Sequence, residues 1–276
     1  MNNIKYILNV YKARFIISLK IYIRYPINFL MNFFMPIMWI APFYFMGKGF
    51  TKNGNLPGFE YYAGNSDYIG FIVVGYIISS ILISTLWGMG FSIKEEMQQG
   101  VLESNWSAPI NKIHLIVGKS LYNYFITFLE IVITIIVCHF AFNFNINGNM
   151  LKAILIIIIS IIGFYGLGII IASLVLLAKN ANPIIDMSNS LISGLSGSFF
   201  PIKVFPKGIL FISLLIPLTY VYDTTRYFLI SQKSLFNIKF EIIILIITSL
   251  LLLIIGNIVF KKIETKCLEE GRLSGH

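Results

Sequence analysis

The stretch Lys94-Glu95-Glu96-Met97-Gln98-Gln99-Gly100-Val101-Leu102-Glu103-Ser104-Asn105-Trp106-Ser107-Ala108-Pro109 gathers acidic and amide side chains between two long apolar runs. Its carboxylates can make charge-assisted hydrogen bonds to an Arg, a Lys or a helix N-terminus on another molecule. Glu96, Gly100 and Glu103 are four and three apart, which predicts one shared face of a helix flanked by Val101 and Leu102. Glycine inside a helix costs about 1 kcal/mol relative to alanine, so Gly100 reads either as the close approach of another backbone or as a helix end. Pro109 cannot continue the helix and redirects the chain toward Ile116. Neighbouring helices usually need only two to eight connecting residues. The longer acidic segment therefore predicts a surface that a cytosolic partner reads.

A second polar set is Asn123, Thr127, Glu130, Thr134 and Cys138, spaced four, three, four and four apart on one stripe of a helix. Glu130 falls near the middle of an apolar run, where a carboxylate costs roughly 2.5–3.5 kcal/mol on insertion scales. It should face protein or a wet cavity. Two roles are open: an interhelical hydrogen bond, or the lining of a substrate route. No catalytic constellation accompanies it. Gly118-Lys119-Ser120 ends like a phosphate-binding loop, but Ile113 stands where that loop needs its first glycine. His114, His139 and His276 form no pair at zinc-ligand spacing. The chain reads as no enzyme, with no cofactor of its own and no metal site.

The elements carrying these residues are membrane helices. With 57% hydrophobic and 12% charged residues and a mean hydropathy of +0.81, the chain departs from soluble domains, where about a quarter of residues are charged. Runs of roughly 20 apolar residues cross the hydrocarbon core. Six are predicted, at about 26–46, 68–92, 116–142, 151–178, 183–200 and 240–260. A seventh stretch, 209–230, is interrupted by Pro217, Asp223 and Arg226 and reads as broken or re-entrant. The fold class expected is all-α integral membrane, a single domain over 1–276. Within it, 1–25 is an N-terminal amphipathic interfacial helix, 94–113 a cytosolic coupling region and 201–239 an exterior re-entrant region.

Residues Ile4, Leu8, Tyr11, Phe15, Leu19 and Tyr22 share one face of that first helix, opposite Lys5, Asn9, Lys12 and Lys20. Arg14 does not fit the division. With six spans, thirteen Lys and Arg fall on the N-terminal side and eight opposite, which places both termini in the cytosol. No cleavable signal is expected, because a basic, mixed segment precedes the first apolar run. The net charge of +9 is scattered at span ends and points to anionic lipid, not nucleic acid. Small residues crowd the fifth run, and Ser193, Gly194 and Gly197 are spaced for close helix approach, within one subunit or between two.

Two sets of residues carry a family likeness. Glu96, Gly100, Leu102, Glu103, Pro109 and Gly118-Lys119 resemble the cytosolic loop of ABC-2-type transport permeases, the membrane subunits of one class of ATP-binding-cassette exporters. Ser193-Gly194 through Phe200-Pro201, Phe205-Pro206, Pro217-Leu218-Thr219-Tyr220, Asp223 and Arg226 are similar to that family's small-residue fifth span and the exterior hairpins after it. Val101, Ala108, Gln98 and Gln99 depart from the usual Thr, Ser or Thr, and Arg. The resemblance implies a second permease subunit, identical or homologous, and a separate ATPase that binds ATP and Mg. It also implies contacts to that ATPase from the first helix and the acidic segment. The substrate implied is amphipathic, drug-like or lipid-linked, leaving the cytosol or the inner leaflet of the cell membrane. A secondary transporter or channel is the alternative, though it would usually show matching halves with interrupted helices.

Overall fold

A computed structural model describes residues 3–51, 56, 58–107 and 111–270. Pro109, Lys52, Arg272, His276 and the side chains of Ile4 and Lys5 lie outside the described part. In chain order the helices are α1 (Asn3–Arg24), α2 (Pro26–Phe50), α3 (Phe59–Ala63), α4 (Tyr68–Gln98), α5 (Leu102–Ser107), α6 (Lys112–Phe142), α7 (Met150–Ala178) and α8 (Ala181–Leu195). A 3-10 turn (Ile202–Val204), α9 (Lys207–Leu215), α10 (Pro217–Ile230) and α11 (Ile238–Glu269) complete the described fold.

The long helices begin at short polar caps. Asp67, Asn111, Asn149 and Asn237 each accept a hydrogen bond from a first-turn amide of α4, α6, α7 and α11, which satisfies a donor the helix itself leaves open. Those four helices are long and apolar enough to cross a membrane. A 31-residue helix is about 46 Å long at 1.5 Å per residue, well beyond a hydrocarbon core of about 30 Å, so each carries part of its length outside the membrane. The protein is a multi-pass, all-helical membrane protein.

One expected span takes a different form, and the interrupted stretch is broken as expected. The run at 183–200 becomes the 15-residue α8, which stops at Leu195. At about 22 Å it is too short to cross by itself. Small residues continue through Ser198 before Phe199 and Phe200, and the chain turns at Gly197, whose φ of +80° no right-handed helix accommodates. The 209–230 stretch breaks at Ile216, where α9 and α10 are bent by 86°. Pro217 opens α10 without a missing amide bond, because the first helical position has no intrahelical acceptor to reach.

α4 is the central helix, packed against α2, α6, α7, α8 and α10. α11 lies along α7 through backbone approach: a Cβ on Gly166 would strike the Leu252 backbone, and one on Gly256 would meet the Gly166 carbonyl at 2.6 Å. Ser249 faces Gly163 in the same seam. Close small-residue packing is thus found between α7 and α11, and again where the Ser198 carbonyl, near the end of the fifth run, lies against Gly75 of α4. Gly194 on α8 has open space at its Cβ position.

Candidate functional site

One end of the bundle is a polar platform formed by α1, the end of α4, α5 and the start of α6. α4 stops at Gln98 because Gly100 turns left-handed at φ +66°. The Gly100 amide then bonds the Met97 carbonyl and the Val101 amide the Glu96 carbonyl, closing the last turn around a glycine with no Cβ penalty. Gly100 is thus a helix end. Nothing lies within 4 Å of its Cβ position.

That break separates the two carboxylates expected on one face. Glu96 points inward and is 7% exposed. Its Oε1 accepts from Arg14 Nη1 at 2.7 Å and its Oε2 from Asn105 Nδ2 at 3.0 Å. Arg14, the misfit of the amphipathic pattern, lies on the inward face of α1 because it answers Glu96. Tyr11 and His114 share a hydrogen bond of 2.7 Å alongside, and Phe15 and Tyr22 meet Tyr122 of α6 edge-on. Leu8, on the apolar face given by periodicity, is 59% exposed to the surroundings of the bundle.

Glu95 pairs with Lys119 of α6, and Lys94 Nζ donates to the Lys179 carbonyl at 2.8 Å, tying the turn before α8 to the same platform. On α5, Leu102 and Trp106 are buried one turn apart and join Met97, Ile113, Phe260 and Cys267 in one apolar cluster. Glu103, Ser104 and Ser107 remain exposed, with Gln98, Gln99, Gly100 and Val101 beside them. This outward face carries a single carboxylate, Glu103.

A cavity of about 1180 Å³ runs from the platform along α4 and α6. On α4 its lining includes every fourth residue, Tyr76, Ser80, Ser84, Gly88, Ser92 and Glu96, with Ser79, Ile83, Trp87, Phe91 and Glu95 beside them. Lys119, Asn123, Thr127 and Glu130 line it from α6. The two stripes run antiparallel, with Glu95 bridged to Lys119, Gly88 against the Asn123 amide and Tyr76 Oη donating to Glu130 Oε1 at 2.6 Å. Glu130 therefore joins two helices and faces the cavity. Thr134 is buried outside the cavity, its hydroxyl bonded to the Glu130 carbonyl at 2.8 Å. Ser193 lines the wall, whereas Gly194 and Gly197 do not. Periodicity found the α6 stripe through its carboxylate. Between Tyr76 and Glu96 the α4 stripe is small and uncharged, visible in the sequence only as a four-residue spacing.

At the opposite end, α10 runs beside the start of α4. Arg226 is buried, with its guanidinium carbon 3.4 Å from the centre of the Phe71 ring. It donates to the carbonyls of Gly197 at 2.8 Å, Ser198 at 2.5 Å and Phe71 at 3.2 and 3.3 Å. One cation therefore ties α10, α4 and the chain leaving α8, satisfying carbonyls that the turn exposes. Asp223 accepts from the Leu235 amide at 2.8 Å and from Gln232 at 3.3 Å. Tyr220 Oη donates to the Leu214 carbonyl at 2.8 Å across the bend. Pro206 caps α9 and Pro201 precedes the 3-10 turn.

Bundled apolar helices around a polar-lined cavity, with a polar platform at one end, define a multi-pass transport protein. The family model described as ABC-2 type transporter matches residues 11–230, and the chain belongs to that family. It is a permease component of an ABC transporter, a class that works with an ABC ATPase subunit. No curated protein matches the chain.

Proposed function

We propose that this chain is the membrane subunit of an ABC exporter in the cell membrane, moving an amphipathic substrate out of the cytosol or inner leaflet. A separate ATPase subunit would bind ATP and Mg and dock on the platform through α1 and the face around Glu103. Both termini are cytosolic, and six crossings arise from α2, α4, α6, α7, α8 with the turn after it, and α11. The bent α9–α10 pair is re-entrant from the exterior. A second permease subunit, identical or homologous, covers the open side of the cavity and the outer face of α8 around Ser190 and Gly194.

The observation that carries this reading is the continuity of platform and cavity. Glu96 and Lys119 belong to both, so a displacement of α4 imposed at the platform alters the cavity wall. An ATPase can bias two membrane conformations only through contacts that differ between them, and the α4–α5 corner provides such contacts. The test is purification of the tagged chain from native membranes in mild detergent. Recovery of an ABC ATPase in stoichiometric amount is expected. Recovery of the folded permease free of any ATPase would contradict the reading.

A further inference from the structure

The charges lining the cavity do not balance. Two are basic, Arg14 and Lys119, and three are acidic, Glu95, Glu96 and Glu130. Arg14 is committed to Glu96 and Lys119 to Glu95. Glu130 remains, and among the described residues its carboxylate is met only by the Tyr76 hydroxyl at 2.6 Å. It lies 18 residues into α6, about 27 Å from the platform end of that helix, where water is scarce and an ionised carboxylate costs most.

Along the cavity much of the wall is aromatic. Tyr22, Tyr25, Trp39, Trp87, Tyr122 and Phe199 line the same space. Ring faces attract cations, and the attraction strengthens where water is excluded. No unpaired Lys or Arg among the lining residues could receive a phosphate or carboxylate. The volume, about 1180 Å³, lies above the usual range of roughly 300–1,000 Å³ for drug-sized sites.

We infer that the cavity selects an organic cation on an apolar body, with Glu130 as its counter-charge and the aromatic wall as its seat. Building on the export reading above, this names the substrate class: an amine- or onium-bearing amphiphile, in preference to a phosphate-linked lipid. An anionic ligand would place like charge against Glu130 in a poorly screened setting. Tyr76 acts as a positioning residue, its hydroxyl turning the carboxylate toward the space.

Two probes of the same shape and opposite charge test this, tetraphenylphosphonium and tetraphenylborate. Each is titrated into the full chain in nanodiscs of neutral lipid, with quenching of Trp39 and Trp87 as the readout. Saturable binding of the cation and none of the anion is expected. Glu130→Gln should weaken cation binding at least about tenfold, since it removes a charge-assisted contact, while Glu130→Asp should retain most of it. Thermal unfolding of each variant in the same nanodiscs confirms that the comparison is between folded proteins. Equal affinity for the two probes, or unchanged cation binding in Glu130→Gln, would overturn the inference. The measurement involves no ATPase, so its failure would leave the co-purification result standing.

Discussion

Glu96 and Glu103 are seven residues apart yet occupy opposite situations, and this makes them separable by mutation. Glu96 is held by Arg14 and Asn105 in a nearly buried site, where removing one partner of an ion pair leaves the other uncompensated. Glu96→Lys should therefore lower the Tm of the permease alone, by an amount reflecting about 1–3 kcal/mol. Glu103→Lys on the exposed face should leave Tm unchanged within the roughly ±0.5 kcal/mol usual for surface changes and reduce ATPase recovery. Paired thermal unfolding and co-purification distinguish the two. Equal Tm losses would mean that Glu103 is structural as well. A similar argument applies to Arg226, which makes four hydrogen bonds to three carbonyls and lies over the Phe71 ring. Lysine has neither the fork nor the stacking plane, so Arg226→Lys should destabilise by about 2–4 kcal/mol, read as a lower Tm. A fully stable Arg226→Lys variant would show that these carbonyls find other donors.

Among the elements, the long helices were legible in the sequence because an uninterrupted apolar run bounded by Asp67, Asn111, Asn149 or Asn237 leaves few alternatives. The bend at Ile216 was legible for the same reason, through Pro217 and the charges behind it. The ends of α4 and α8 were not. Both are set by left-handed glycines, Gly100 at +66° and Gly197 at +80°, in segments whose composition continues unchanged. Spacing rules then carried Glu96 and Glu103 across a helix that had already stopped. Likewise, glycine spacing pointed to α8, while the glycines that let α7 and α11 touch are Gly163, Gly166 and Gly256. Contact depends on what faces a residue, and spacing alone does not contain that. Gly166→Ala should therefore force α7 from α11 and destabilise by about 1–3 kcal/mol, the usual cost of overpacking. Gly194→Leu, with open space at its Cβ, should leave the protomer's Tm intact. If α8 meets the second permease subunit, the same change shifts the assembly toward single permeases in native mass spectrometry. An unaltered subunit count would move the interface elsewhere.

At the scale of the whole molecule, platform, cavity and the bent α9–α10 pair fall in order along the bundle axis. Orientation then follows from one labelling experiment. Cys138 and Cys267 are buried, so a cysteine placed at Ser104 or at Tyr61, both exposed, should dominate reaction with an impermeant maleimide. In intact cells Tyr61→Cys should label and Ser104→Cys should label only after permeabilisation; the reverse pattern would invert the topology. The central claim is that an ATPase on the platform drives transport through the cavity. It is tested most directly by reconstituting the purified permease and ATPase complex in vesicles and following uptake of a fluorescent lipophilic amine. Uptake should require ATP and stop when the ATPase cannot hydrolyse it. Uptake should also fall sharply with Glu103→Lys in the permease. Uptake that continues without ATP, or with a hydrolysis-dead ATPase, would identify a secondary transporter or channel and contradict the account.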